Sequence, residues 1–329
     1  MLHLCLFHKD CFDGLMAAYI YKLYHEDGRR HRPSHDDEFV FMPMNYHDPI
    51  EPVIERIEQR KNRAAGWMST LATIHILDFS FKSSVLRQLV TTGLGVTNTV
   101  VLDHHPVTAT IKTECEEWIP ERKWDLKIFH DPSMSGAMMT WKHFFKDQPA
   151  PAIVQYVSDW DTYQLKLPFT REIIQALGSY ELELSTWSKL FQTHGMDREL
   201  ITHLFGMVDV VSRVHSNAIN WAIKHTLRMV VVDVPLRSGL NEMELVRATV
   251  PVINCPHYLA TDALTKLCEM YPDAPFAMGY YDMDGLRKFS VRSTSMDVRP
   301  FVQQFGGNGH ERAAGFTVST KSNHPLIRI

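Results

Sequence analysis

The chain is poor in the features that would place it outside the ordinary globular class. Its five cysteines in 329 residues, Cys5, Cys11, Cys115, Cys255 and Cys268, form no close pair and no zinc-type spacing. That argues against a disulfide framework or a zinc module and leaves most of the thiols as buried apolar packing. No apolar run approaches the roughly 20 residues a membrane helix needs, and Met1-Leu2-His3-Leu4 lacks the basic region of a signal peptide. A cytoplasmic protein with no membrane partner is expected. Positive charge is not in excess either. The net charge is −4, whereas a protein that tracks a long polyanion carries a basic surface, so long duplex nucleic acid is not an expected partner and a nucleic-acid substrate would be a short one. Internal repeats, low-complexity tracts and a flexible linker are missing too.

The composition that remains, 45% hydrophobic and 22% charged, suits a soluble chain long enough for two domains with buried cores. Within it, acids and imidazoles recur at the ends of apolar runs. Leu2 to Phe7 alternates like a strand and breaks into His8-Lys9-Asp10-Cys11-Phe12-Asp13-Gly14. Thr73 to Leu77 runs into Asp78, and Val100-Val101-Leu102 stops on Asp103-His104-His105. Helical patterns separate these runs: one opens near Gly14, one follows Asp48-Pro49-Ile50-Glu51, and one carries Val85, Leu86, Leu89 and Val90. Such β-α alternation predicts a doubly wound, mainly parallel α/β sheet, in which ligands gather beyond the carboxyl ends of the strands. His8, Asp13, Asp78 and His104 would then share one rim. Taken alone, His8, Asp10 and Asp13 fit a cation site and a helix cap with two solvated neighbours equally well. Residues 28–33, Gly-Arg-Arg-His-Arg-Pro, read as a surface loop.

After Pro132 the pattern is helical. Ser135 is placed to cap a segment through Phe145, and Pro149 and Pro151 open another that ends in Ser158-Asp159-Trp160-Asp161. Everything from Thr170 to about Thr226 reads as helix and as a bridge between domains. A second, β-rich region follows, with strands at Met229–Val234, Thr249–Ile253, Phe276–Tyr281 and Leu286–Arg292, a Met283-Asp284-Gly285 hairpin turn and a helix near Thr261 to Tyr271. A short helix from Asp297 to Phe305 leads to Gly306-Gly307-Asn308-Gly309-His310. The predicted domains are 1–226 and 227–329, the second a smaller mixed α/β domain, with an active-site cleft between them.

Asp103-His104-His105, together with the glycine-rich run ending at His310 and Ala313-Ala314-Gly315 beyond it, resembles the DHH phosphoesterase family with its associated C-terminal domain. That resemblance implies a hydrolase with two divalent metal ions, manganese first, with magnesium or cobalt as alternatives. It implies Asp78 as the bridging carboxylate, His8 and Asp10 on one metal, and Asp13, His104 and Asp159 on the other, with Asp161 as the fallback for Asp159. Asp103 would orient an imidazole and His105 would contact phosphate or assist the leaving oxygen. Arg292, Ser293, Gly306, Gly307, Gly309 and His310 would bind substrate. The first motif departs from the family's closely spaced acids because Cys11-Phe12 separates Asp10 from Asp13.

Within the family the chain is most similar to the nano-RNase branch. It is therefore expected to be an exonuclease-type phosphodiesterase that cuts short oligoribonucleotides and linear dinucleotides to mononucleotides. The alternatives are a cyclic dinucleotide phosphodiesterase, a 3′-phosphonucleotide phosphatase, a longer-range exonuclease similar to RecJ, or, in a different class, a nucleotide-binding sensor with little turnover.

Overall fold

In the computed structural model the described residues are all but 27–36, 47, 64–70, 92, 119–124, 147, 239–241, 323–325 and 327–329. The basic stretch 28–33 lies outside them. The chain divides into two compact units, Met1–Val211 and Ser212–Ile329.

The first unit is built on five parallel strands, β1 (Leu2–His8), β2 (Glu38–Met44), β3 (Ala72–Leu77), β4 (Val96–Asp103) and β5 (Leu126–His130), in the order β2-β1-β3-β4-β5. The side chains of β1 alternate between two cores, as a strand buried on both faces requires. Leu2, Leu4 and Leu6 pack with residues from α2 (Glu51–Arg63) and α3 (Ser83–Thr91), joined by Ile111 of α4 (Pro106–Glu116). Cys5 and Phe7 pack on the opposite face with residues of α1 (Phe12–Glu26) and α5 (Gly136–Phe145). The sheet is thus doubly wound. Because β1 lies between β2 and β3, the direction of winding reverses beside β1, which opens a crevice at the carboxyl ends of β1 and β3.

Helices α6 (Ala152–Asp161), α7 (Thr170–Leu177), α8 (Leu184–His194) and α9 (Arg198–Thr226) complete the helical region. The sequence reading kept all of α9 with the first domain, but the compact units divide within it. The reason lies in its buried face: Leu200 and Leu204 belong to the first unit's core, while Ile219, Ala222 and Ile223 pack with α10 (His257–Met270) in the second. No described helix is long and apolar enough to cross a membrane.

The second unit carries a mixed sheet in the order β10-β11-β9-β8-β7-β6. Its strands are β6 (Arg228–Ser238), β7 (Glu242–Asn254), β8 (Ala277–Met283), β9 (Leu286–Arg292), β10 (Asn308–Gly309) and β11 (Ala313–Ser319). Only β7 and β8 run parallel. Asp284 and Gly285 form the two-residue turn between β8 and β9, with φ of 55° and 75°. Both residues are left-handed, the condition for the hairpin turn whose twist matches its strands. Ala313-Ala314-Gly315, which follows the glycine-rich run, lies in strand β11: Gly315 pairs with Ser290 of β9.

Candidate metal centre

Three parallel strands end in the site, and each delivers a different donor. His8 closes β1, Asp78 follows β3 directly, and His104 follows Asp103 at the end of β4. Asp78 turns sharply out of its strand with φ of 65°, a conformation L-residues visit rarely. Its backbone amide donates to the carbonyl of Leu102 at 2.8 Å. That bond seats the turn against β4 and brings the carboxylate under His104.

Asp78 lies between two groups of donors. Its Oδ2 is 3.3 Å from His8 Nδ1 and 3.4 Å from Cys11 Sγ. Its Oδ1 is 3.3 Å from His104 Nε2, which is itself 3.2 Å from Asp161 Oδ2 and 4.0 Å from Asp13 Oδ2. Two clusters of metal-type ligand atoms result, His8 with Cys11 and Asp78, and Asp13 with His104 and Asp161. Asp78 is 1% exposed. Its Oδ1, His104 Nε2 and Asp161 Oδ2 are all buried without a hydrogen-bond partner among the described residues. Burying polar atoms with no partner costs free energy that a cation would recover. Imidazole and carboxylate donors suit a divalent ion, so the residues present fit such a group.

Asp13 is held from behind. Its Oδ2 accepts from the amide of Gly136 at 2.5 Å and its Oδ1 from that of Ala137 at 3.0 Å, so the carboxylate sits on the N-terminus of α5. Ser135 caps that helix by accepting from the Met138 amide. Asp103 is fully buried and accepts from the His105 amide at 3.2 Å, from His105 Nδ1 at 2.8 Å and from the Thr108 hydroxyl. A third grouping brings its ligand atoms near those of Asp78, His104 and His105. Asp103 Oδ1 is taken up in orienting His105 and its Oδ2 by the Thr108 hydroxyl. The imidazole of His105 packs edge-on against Tyr46 and His8, at 5.6 and 5.7 Å between ring centroids.

Two expected ligands are not brought into the clusters. Asp10 is exposed, in a turn with φ of 56°, and Cys11 takes the place beside Asp78. Asp159 faces away: its oxygens accept from the amides of Lys166 at 2.9 Å and Leu167 at 3.0 Å and from the Thr170 hydroxyl at 2.5 Å. Successive residues of a helix turn by about 100°, so Asp159 and Asp161 project roughly 200° apart and cannot both face one ion. Asp161 is the one beside His104. Replacing Asp161 by asparagine is expected to weaken divalent-ion affinity at least 10–100-fold, the range lost even with outer contacts of a metal site. Replacing Asp159 by asparagine should instead lower Tm, through about 1–3 kcal/mol of lost hydrogen bonding, with affinity kept. Calorimetric titration beside thermal melts separates the two. Cys11 lies beside Asp78 and not in the apolar core expected of the thiols; its position between His8 and Asp13 is the signal in the sequence.

In the second unit, Ser293 donates to the Pro275 carbonyl and accepts from the Ser295 and Met296 amides, so its hydroxyl is used in a turn. The amides of Gly306, Gly307, Gly309 and His310 likewise donate to Gln303, Val302, Asn308 and Ala313. Gly307 admits no side chain, since a Cβ there would lie 2.3 Å from the Gly315 carbonyl oxygen. The glycine run thus joins the helix at Arg299–Gln303 to the β10–β11 hairpin, with each of these amides already bonded within the chain. Arg292 ends β9 and His310 is exposed.

The acids crowd one another. Burial, then the charges of Asp78 and Asp161, push the Asp13 carboxyl well up. Burial and Asp78 push Asp161 up to about 6. Burial opposes the charged form of His104, but contact with Asp78 and the field of Asp161 override it and push the imidazole up to about 9. Burial would also raise Asp78, yet His104 and His8 hold it well below the usual carboxylate range. In the cation-free fold Asp161 and His104 therefore bind protons more tightly than the unfolded chain does. Stability from His104 is complete below its ordinary value of 6.5 and lost as pH rises through about 9. For Asp161 it falls between 3.8 and about 6. Asp78 acts in the opposite sense, but at lower pH. A cation must displace those protons, so the rise in Tm on adding manganese is expected to be several-fold larger near pH ~8.5 than near pH ~5.5. An equal rise at both would contradict the arrangement.

No protein-family model matches the chain. Over 320 residues it is 25% identical to an uncharacterized protein of Acanthamoeba polyphaga mimivirus, with 95% of this chain and 67% of that protein covered. Among solved structures, the DHH domain of a member of the s1p family of ribosomal proteins superposes with a TM-score of 0.55 at 12% identity, covering 95% of this chain and 82% of that one. A pGpG-specific phosphodiesterase from Vibrio cholerae aligns over 97% of this chain and 94% of its own at 12% identity, with a TM-score of 0.44, too loose a likeness to bear on activity. The first of these structural likenesses establishes that this chain shares the fold of a DHH-domain protein.

Proposed function

We propose that the protein is a metal-dependent phosphodiesterase that hydrolyses short oligonucleotides, linear dinucleotides among them, to mononucleotides. The observation that carries this reading is Asp78, whose two oxygens face two separate groups of ligand atoms. A carboxylate so placed can join two cations. When bound, such a pair lowers the pKa of water and neutralises charge on phosphate oxygens, the two obstacles to phosphodiester hydrolysis.

The protein's own groups supply the rest. His8 and Asp78 form one ligand set with Cys11 beside them, and Asp13, His104 and Asp161 form the other. Asp103 fixes the His105 ring through Nδ1. Burial opposes protonation of that ring, but Asp103 and then Asp78 raise its pKa, which favours the protonated imidazole. His105 is thereby equipped to donate from Nε2 to the departing oxygen. Manganese is the metal proposed for the position lined by imidazole and carboxylate alone, that of Asp13, His104 and Asp161. For the second unit, Arg292 and His310 are assigned to holding substrate phosphate or base, and replacing either should raise KM more than it lowers kcat.

The test is a panel of labelled dimers to pentamers, linear and cyclic, RNA and DNA, with and without manganese. Manganese-dependent release of mononucleotides from the linear ribonucleotides is expected. Intact dimers alongside cleavage of another phosphate ester would overturn the assignment.

A further inference from the structure

Cys11 occupies a position that packing does not explain. The remaining four cysteines are buried, and none of them belongs to a group of metal-type donors among the described residues. Cys11 immediately precedes α1, and its carbonyl accepts from the Leu15 amide at 3.1 Å, so the start of the helix fixes its backbone. Its Sγ is 3.4 Å from the same Asp78 oxygen that His8 Nδ1 approaches at 3.3 Å. Nitrogen, sulfur and oxygen thus converge on one point. Such separations are those of atoms around a common ion with bonds of about 2.0–2.3 Å. An independent observation points to a cation beside the Asp78 carboxylate: the side chain is almost wholly buried, yet its other oxygen, the one that faces His104, has no hydrogen-bond partner among the described residues.

We propose that Cys11 is a thiolate ligand and that the two metal positions differ in chemistry. The position formed by His8, Cys11 and Asp78 takes a borderline, sulfur-seeking ion such as Zn2+ or Co2+. The position formed by Asp13, His104 and Asp161, with only nitrogen and oxygen, takes Mn2+ or Mg2+. The physical basis is ligand softness, since thiolate selects zinc-like ions whereas carboxylate and water accept the hard ones. On binding, the S–H bond breaks heterolytically, its proton passes to solvent, and the sulfur lone pair enters the bond to the cation; nothing is oxidised or reduced. This inference rests on the two-metal reading of the site but not on the identity of its substrate.

The test is optical. The full chain, reduced and free of metal, is titrated with Co2+. A near-ultraviolet sulfur-to-cobalt charge-transfer band is expected in the wild type and in Cys5→Ser, and its loss in Cys11→Ser. Cys11→Asp should lose the band and also lower the ratio of Zn2+ to Mn2+ affinity by on the order of 10–100-fold. Wild-type protein that binds Co2+ with no such band, or a Cys11→Ser variant that keeps it, would overturn the proposal. Should the variants fail to fold, alkylation of the wild type by iodoacetamide, read by mass spectrometry, decides: Zn2+ should protect Cys11 and Mg2+ should not. Equal labelling with and without Zn2+ counts against the proposal. Failure to cleave any oligonucleotide leaves these readouts untouched, so the two readings fail separately.

Discussion

Asp78→Asn is expected to reduce turnover about a thousandfold and to lower the number of divalent ions bound from two to at most one. The amide keeps the size of the side chain and tolerates the left-handed backbone at this position better than alanine does, so the fold should survive. What it removes is the charge between the two ligand groups. A metal pair contributes several kcal/mol of transition-state stabilisation, and about 4 kcal/mol corresponds to roughly a thousandfold. The loss should be accompanied by a change in the neighbours, because Asp78 is a cause of the raised carboxyls of Asp13 and Asp161. Single-turnover kinetics with equilibrium metal binding checks both parts. A variant that binds two ions and turns over within tenfold of wild type would remove the bridging role.

The second large effect is expected from a residue without a functional group. Gly136 opens α5, and a Cβ there would lie 2.7 Å from both Cβ and Oδ1 of Asp78 and 2.9 Å from its Cα. Two opposing effects meet in Gly136→Ala. Helix propensity favours alanine by about 1 kcal/mol. Overpacking costs about 1–3 kcal/mol, and the atoms in the way are largely backbone and Cβ, which have little room to yield. The clash therefore wins, and Tm should fall. Function should fall further, because the same residue's amide holds Asp13 while its Cα abuts Asp78. Displacing either by about 1 Å costs on the order of a hundredfold in rate. Melting curves and kcat measured on one preparation test this; a variant more stable than wild type and fully active would show that the close approach is not required.

Much of this centre was legible before the fold. The apolar runs ending at His8, Asp78 and His104 carried both the strand assignment and the shared rim, since parallel strands point their carboxyl ends the same way. The Asp284-Gly285 turn was readable because its geometry demands residues that tolerate positive φ. Other features were not. The Gly306 and Gly307 amides could have faced an anion, but they donate to the last carbonyls of the preceding helix, and that of His310 closes a hairpin. Gly136 carried no signal at all, since its importance lies in its distance from Asp78.

Sequence alone determined the class of chemistry, because residue type sets what can bind a cation and hydrophobic period sets which strand ends carry those residues. Tertiary structure alone decided which of two acids on one helix lies beside His104, that Asp10 is exposed, and that Cys11 lies beside Asp78. Those choices depend on how helices roll and how a turn is seated against a neighbouring strand. Such orientations arise from packing between residues distant in the chain, and no local pattern encodes them.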